Sequence, residues 1–121
     1  MNKRMLGRTG IHVSEVAFGG VEIGIPYGIG VKSSEDMLSE IEAVRLLHTA
    51  LASGINFFDT ARMYGNSEII MGKAFQDRRN EVVIGTKCRH LRDKDGLLPE
   101  DSKLGIAIAG SVEESLEALQ T

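Results

Sequence analysis

Cysteine is scarce in this sequence, and a net positive charge and long apolar runs are absent from it. A single cysteine, Cys88, in 121 residues excludes an intrachain disulfide framework and fits a reducing, cytoplasmic setting. No apolar run approaches the roughly 18 residues needed to cross a bilayer. The opening "MNKRMLGRTG" carries basic residues with no apolar core behind them, so a secretory leader is not expected. The net charge is −3 and no basic stripe is present, which argues against nucleic acid or an anionic membrane as partner. What is there is ordinary globular composition: 42% apolar and 26% charged residues, enough for one small domain.

Strand-like and helix-like stretches alternate along the chain. "KRMLG" and "IHVSE" flank "RTG" as a hairpin, and "VAFGG" (16–20) reads as a short buried strand ending in two glycines. A Gly- and Pro-containing loop (21–34) follows. "EDMLSEIEAVRLLHTALASG" (35–54) predicts a helix with Ile41, Val44, Leu47 and Leu51 on one stripe, stopped by Gly54. "INFFDTA" is a second strand. "GNSEIIMGKAFQD" is a second helix, capped by Asn66 or Ser67 and burying Ile70, Met71, Ala74 and Phe75. "EVVIGTK" (81–87) is a third strand, and 88–110 reads as a long polar loop. A last helix opens on a capping box, Ser111 with Glu114, and carries Val112, Leu116 and Leu119 on one face. Continuous apolar strands alternating with helices predict α/β architecture: a parallel sheet covered on both faces, either doubly wound or part of a (β/α) barrel. Three βα units cannot close a barrel that typically needs about 250 residues, so the N-terminal portion of a larger barrel is expected.

Chemistry in parallel α/β folds gathers at the carboxyl ends of strands. Here those ends are Gly19-Gly20, Asp59 and Lys87. Side chains alternate along a strand, so Phe57 and Asp59 share one face of their strand, and by the same count Val83, Gly85 and Lys87 share one face of theirs. If the two strands pair in parallel, Asp59 and Lys87 meet, and an acid and an amine leaving a dry strand together are expected to pair. Tyr64 follows Asp59 on a Gly-Asn turn. A free phenol titrates near pH 10, and an adjacent ammonium favours its ionised form. Asp–Lys–Tyr is thus a proton-donating relay suited to reducing a carbonyl, with a nicotinamide cofactor as the hydride source.

"NFFDTARMYGNSE", "MGKAF", "VVIGTKC" and "SVEESLEALQT", taken together, resemble the aldo-keto reductase family of nicotinamide-dependent barrel oxidoreductases, and the hairpin and "VAFGG" fit that family's start. The resemblance covers essentially the whole chain. It implies a partial TIM barrel, open rather than closed, over residues 1–121. It also implies a catalytic Tyr64 tuned by Asp59 and Lys87, acting on a small carbonyl compound. NADP(H) is the implied cofactor, with NAD(H) left open, and Gly19, Gly20 and Asp59 are the expected contacts to it near the nicotinamide ribose. The family's fourth site residue is a His ending the next strand. His12, His48 and His90 lie in the hairpin, a helix and a loop, so none matches it. The resemblance also implies that most dinucleotide contacts come from the second half of the barrel, so the lone chain is expected to bind cofactor poorly and to turn over slowly or not at all. The rival reading is a non-catalytic binding or regulatory module, self-associating through the unpaired sheet edge.

Other features have ordinary explanations. The glycines around "GIG" (28–30) are not spaced as a dinucleotide fingerprint and open no helix, so they read as a substrate-side loop. Cys88 and His90 are too few for a closed metal site. His48 reads as a packed helix residue, and "RHLRDKD" (89–95) as a solvated loop.

Overall fold

The computed structural model describes residues 1–121. Strands β1 (Lys3–Met5) and β2 (His12–Ser14) form an antiparallel hairpin, with Lys3 opposite Ser14. A separate parallel sheet runs β3 (Phe18–Gly19), β4 (Phe57–Asp59), β5 (Val83–Gly85), in that order. Helix α1 (Glu40–Ala52) joins β3 to β4, α2 (Ser67–Phe75) joins β4 to β5, and α3 (Asp101–Leu119) follows. This is the expected hairpin followed by three βα units, a parallel α/β sheet left open.

The helices lie against one sheet face. Phe58, the middle residue of the central strand, is fully buried, and its ring centroid lies 4.6 Å from that of Phe75 and 5.8 Å from that of Phe18. Leu47 from α1, Met71 and Ala74 from α2, and Leu119 from α3 complete the core. Burying a Phe or Leu contributes about 1.5–3 kcal/mol, so these few side chains dominate the packing. The other sheet face, with Phe57, Asp59, Val83 and Gly85, is only half-buried. The expectation of cover on both faces holds for the helix side alone.

Asn56 ties the hairpin to the sheet. Its Oδ1 accepts from Ser14 N at 2.7 Å, its Nδ2 donates to His12 O at 3.0 Å, and its own N–H donates to Ser14 Oγ at 3.1 Å. At the far end of α1, Gly54 adopts φ +93° as the expected left-handed stop. His48 is exposed rather than packed into the core, but its Nε2 lies 2.7 Å from Ala74 O and its ring 6.5 Å from that of Phe75.

Two helix starts differ from the sequence reading. Helix α1 begins at Glu40 rather than 35, because Ser39 and Glu42 form a capping box. A second box, Ser33 with Asp36, closes a separate 3-10 turn at Ser34–Asp36. Of the expected stripe, Leu47 is buried and Val44 and Leu51 pack half-buried against the core beside Ala43 and Ala50, while Ile41, in the first turn, is 73% exposed. Helix α3 begins at Asp101, so residues 101–110 are helix and not loop. Pro99 disfavours helix for the residue before it, which sets the boundary. Gly105 and Gly110 each occupy open space within the helix, at roughly 1 kcal/mol apiece relative to Ala. Ser111 is accordingly no cap: it is buried mid-helix and accepts from Arg89 N at 3.0 Å. Val112 and Leu116 are exposed, and Ser111, Ser115 and Leu119 face inward.

Candidate active site

Parallel pairing places Asp59 beside Gly19 on one flank and Gly85 on the other. Two residues past Gly85, Lys87 turns back over the end of β4. Its Nζ donates to both Asp59 oxygens at 2.8 and 2.7 Å and to Thr60 O at 3.0 Å. The expected acid–amine meeting is therefore present, but not in a dry setting: the two side chains are 51% and 45% exposed. An ion pair this open contributes about 0–1 kcal/mol, so its consequence is placement more than stability. The Asp59 carboxylate holds the Lys87 ammonium above the usual lysine range, by hydrogen bond and by charge, with a smaller contribution from Tyr64.

Tyr64 stands against that ammonium. Lys87 Nζ lies 5.3 Å from the Tyr64 ring centroid, within cation–π range. The phenol is set there by a tight turn: Tyr64 N donates to Ala61 O at 3.0 Å and Ser67 N donates to Tyr64 O at 3.0 Å. Gly65 turns the chain at φ +52°, and Asn66 then caps α2 without a side-chain bond. Loop 21–28 packs directly on this turn, where Asn66 N donates to Gly24 O at 3.3 Å. A Cβ on Gly24 would fall 1.8 Å from Tyr64 O.

The two strand-end glycines are placed differently. Gly19 is exposed, with no atom within 4 Å of where a Cβ would project. Gly20 is buried; its N–H donates to Asp59 O at 2.8 Å, and a Cβ there would strike Met71 and Ser67. Gly20 packs β3 onto α2, while Gly19 presents open backbone beside Asp59.

Behind the Asp59–Lys87 pair lies a group that sequence reasoning did not single out. Glu68 is 1% exposed, accepts from Thr86 Oγ1 at 2.7 Å and pairs with the Arg62 guanidinium. The signal was a carboxylate at position 68 on the stripe that also carries Met71 and Phe75, both buried. Around Asp59 and Lys87 the site is open. Two hollows of similar size, about 450 and 430 Å³, are present: one, lined by Lys3, His12, Asn56 and Glu81 among others, sits at the opposite, hairpin end of the strands, and the other is lined by Phe18, Gly19, Ile23 and Tyr27 among others. The three histidines contribute nothing at Lys87, and no cluster of ligating side chains able to hold a metal ion is present. No helix is long and apolar enough to cross a membrane.

A sequence model of the aldo/keto reductase family matches residues 15–121. L-galactose dehydrogenase of Arabidopsis thaliana is 35% identical over 97% of this chain and 34% of its own length. A probable voltage-gated potassium channel subunit beta of Oryza sativa is 37% identical over 72% of this chain and 25% of its own. Among solved structures, an aldo-keto reductase from Pseudomonas aeruginosa superposes with a TM-score of 0.76 at 33% identity, covering 98% of this chain and 43% of that one. The chain thus spans between a quarter and a half of the length of these relatives, and its sheet and helices match part of a (β/α)8 barrel.

Proposed function

The chain belongs to the aldo/keto reductase family, and from that premise we propose that it carries the proton-donating part of a nicotinamide-dependent carbonyl reductase site, with Tyr64 as acid. The observation that carries this reading is the convergence of Tyr64, Lys87 and Asp59 at adjacent strand ends. Residues 1–121 are read as the N-terminal part of the barrel domain. Tyr64 gives its hydroxyl proton to the carbonyl oxygen of an aldehyde or ketone. The Lys87 ammonium stabilises the phenolate left behind. Asp59 holds that ammonium in place.

The residues present fit one end of a dinucleotide. Gly19 and the Asp59 carboxylate form an open shelf beside Lys87, which would hold the nicotinamide ribose, with Gly20 fixing β3 from behind. Bound there, a nicotinamide supplies hydride to the carbonyl carbon. A phosphate cradle is not among these residues: the N-terminus of α1 is closed by the Ser39–Glu42 box and carries Glu40 and Glu42. NADP(H) over NAD(H) rests on family likeness alone. A reducing, cytoplasmic setting belongs to the same reading, supported by the exposed free thiol of Cys88.

The test is Tyr64→Phe in the longest polypeptide that carries these residues, followed by NADPH consumption with an aromatic aldehyde. Loss of an acid group costs about 10²–10⁴-fold, with cofactor affinity retained. Undiminished turnover overturns the assignment.

A second reading, a non-catalytic regulatory or self-associating module, is favoured by the likeness to a channel β subunit and by the exposed Ile106, Val112 and Leu116 on α3. Sedimentation with an NADPH titration of the 121-residue chain separates the two. A dimer without cofactor affinity supports the module, and a monomer that binds NADPH supports the reductase.

A further inference from the structure

Glu68 is the one charged side chain in the molecule that is buried, and the proton-transfer scheme does not use it. It stands in the first turn of α2, on the stripe that continues through Met71 and Phe75. An apolar residue would fill such a place without the cost of dehydrating a carboxylate, so the charge calls for an explanation beyond packing.

Its two oxygens reach both sides of Lys87. Oε1 accepts from Thr86 Oγ1 at 2.7 Å, and Thr86 immediately precedes Lys87. Oε2 pairs with the Arg62 guanidinium, and the backbone N–H of that same Arg62 donates to Lys87 O at 3.0 Å. One carboxylate therefore holds the residue before Lys87 by its hydroxyl and, through Arg62, the carbonyl of Lys87 itself. The strand β5 ends at Gly85, and the backbone ladder runs on for two more rungs, Thr60 N to Gly85 O at 2.8 Å and Arg62 N to Lys87 O, so Glu68 braces the last rung through the Arg62 side chain. Ser67, next to Glu68, adds a further link by accepting from Thr60 Oγ1 at 2.8 Å, and Thr60 O is a third acceptor for Lys87 Nζ.

We propose that Glu68 is a positioning residue for the acid site: from behind the strand ends, through Thr86 and Arg62, it fixes the Lys87 backbone so that the ammonium is delivered to Asp59 and Tyr64. Its catalytic meaning rests on the reading of Tyr64 as proton donor, whereas the placement of Lys87 is measurable without turnover. The ionisable groups acting on the ammonium are Asp59 and Tyr64; Arg62 pairs with Glu68 and, at 3.6 Å, with Glu114, which also takes Arg89.

The experiment follows the Lys87 ε-methylene signal of the 13C-lysine-labelled 121-residue chain by NMR through its alkaline titration, assigned by loss of the signal in Lys87→Arg. In the wild type the midpoint sits above that of an ordinary lysine, because Asp59 retains the charge. Glu68→Gln removes the ion pair with Arg62, and Thr86→Val removes the other bond while keeping the shape. Both are expected to bring the midpoint down towards an ordinary lysine, with the far-UV circular dichroism at neutral pH preserved. Leu47→Val, which loosens the core away from the site, is expected to leave it in place. An unmoved midpoint in the folded variants, or an equal fall in Leu47→Val, overturns the proposal. If Glu68→Gln does not fold, Thr86→Val alone decides by the same criterion. Full carbonyl reduction by Tyr64→Phe, alongside a lowered midpoint in Thr86→Val, would remove the proton-donor reading and leave the placement by Glu68 standing.

Discussion

Gly24→Ala tests how the Tyr64 turn is held. Gly24 has no left-handed backbone requirement, so the substitution carries no conformational strain of its own, and any effect must come from the added methyl. That methyl would lie 1.8 Å from Tyr64 O and 2.7 Å from both the N and the Cβ of Ser67. Carbon and oxygen cannot approach so closely, so the two loops must part by on the order of 1 Å, an overpacking that costs about 1–3 kcal/mol. Separation also strains the Asn66 N to Gly24 O bond at 3.3 Å, whose loss adds about 1 kcal/mol. Urea unfolding followed by far-UV circular dichroism should show a lower midpoint at unchanged slope, equivalent to about 2–4 kcal/mol. In a turnover-competent protein, displacing the phenol by this much is expected to reduce carbonyl reduction about 10²-fold. Gly19→Ala is the control, because nothing lies within 4 Å of its Cβ position and its stability should stay within about 0.5 kcal/mol of wild type. A Gly24→Ala protein as stable as Gly19→Ala would refute the close-approach argument.

Asn56→Ala leaves the Ser14 N–H and the His12 carbonyl without their partner; destabilisation of about 1–3 kcal/mol is expected, together with faster amide exchange confined to β1 and β2. Ile41→Gln should lie within about 0.5 kcal/mol of wild type in thermal unfolding, while Leu47→Ala should cost about 2–5 kcal/mol, because only Leu47 faces the core. Stability should respond to pH from both directions. Asp36 and Glu42, held below the usual carboxylate range by hydrogen bonds at their caps, and Glu81, held there by Arg78, contribute stability present above about pH 4 and lost as pH falls through their lowered values. Lys87, raised by Asp59, contributes stability present below about pH 10.4 and lost as pH climbs through its raised value. Asp59→Asn should remove the alkaline component while leaving the acid one, as read from unfolding midpoints across pH.

The strand ends were legible because period-2 alternation and parallel pairing act over few residues. Phe57 and Asp59 share a face in the sequence, and the structure puts Asp59 within hydrogen-bond reach of Lys87. Helix starts were less legible, because the apolar period runs through Met37 and Leu38 even though the Ser39–Glu42 box begins the helix later. At α3, residues up to 110 read as part of a long polar, Gly-containing loop, whereas in the structure 101–110 are helix and Gly105 and Gly110 sit where nothing presses on them. The role of Gly20 was hidden for a related reason: a glycine admitting a ligand and a glycine admitting Met71 look alike until the neighbouring helix is in place. Glu68 was visible as a carboxylate on a buried stripe, but its partners Arg62 and Thr86 come from the turn after β4 and the end of β5, a convergence that no local spacing encodes.

Asp59, Tyr64, Glu68 and Lys87 all belong to one unbroken passage of chain, β4 through α2 to the residues just past β5. Asp59 and Lys87 are separated by 28 residues, a loop whose closure costs less entropy than one spanning the whole chain. The consequence is one of timing. As the polypeptide leaves the ribosome, these groups can find one another as soon as that passage has emerged, without waiting for distant strands. A site gathered from remote segments would instead be the last thing to form.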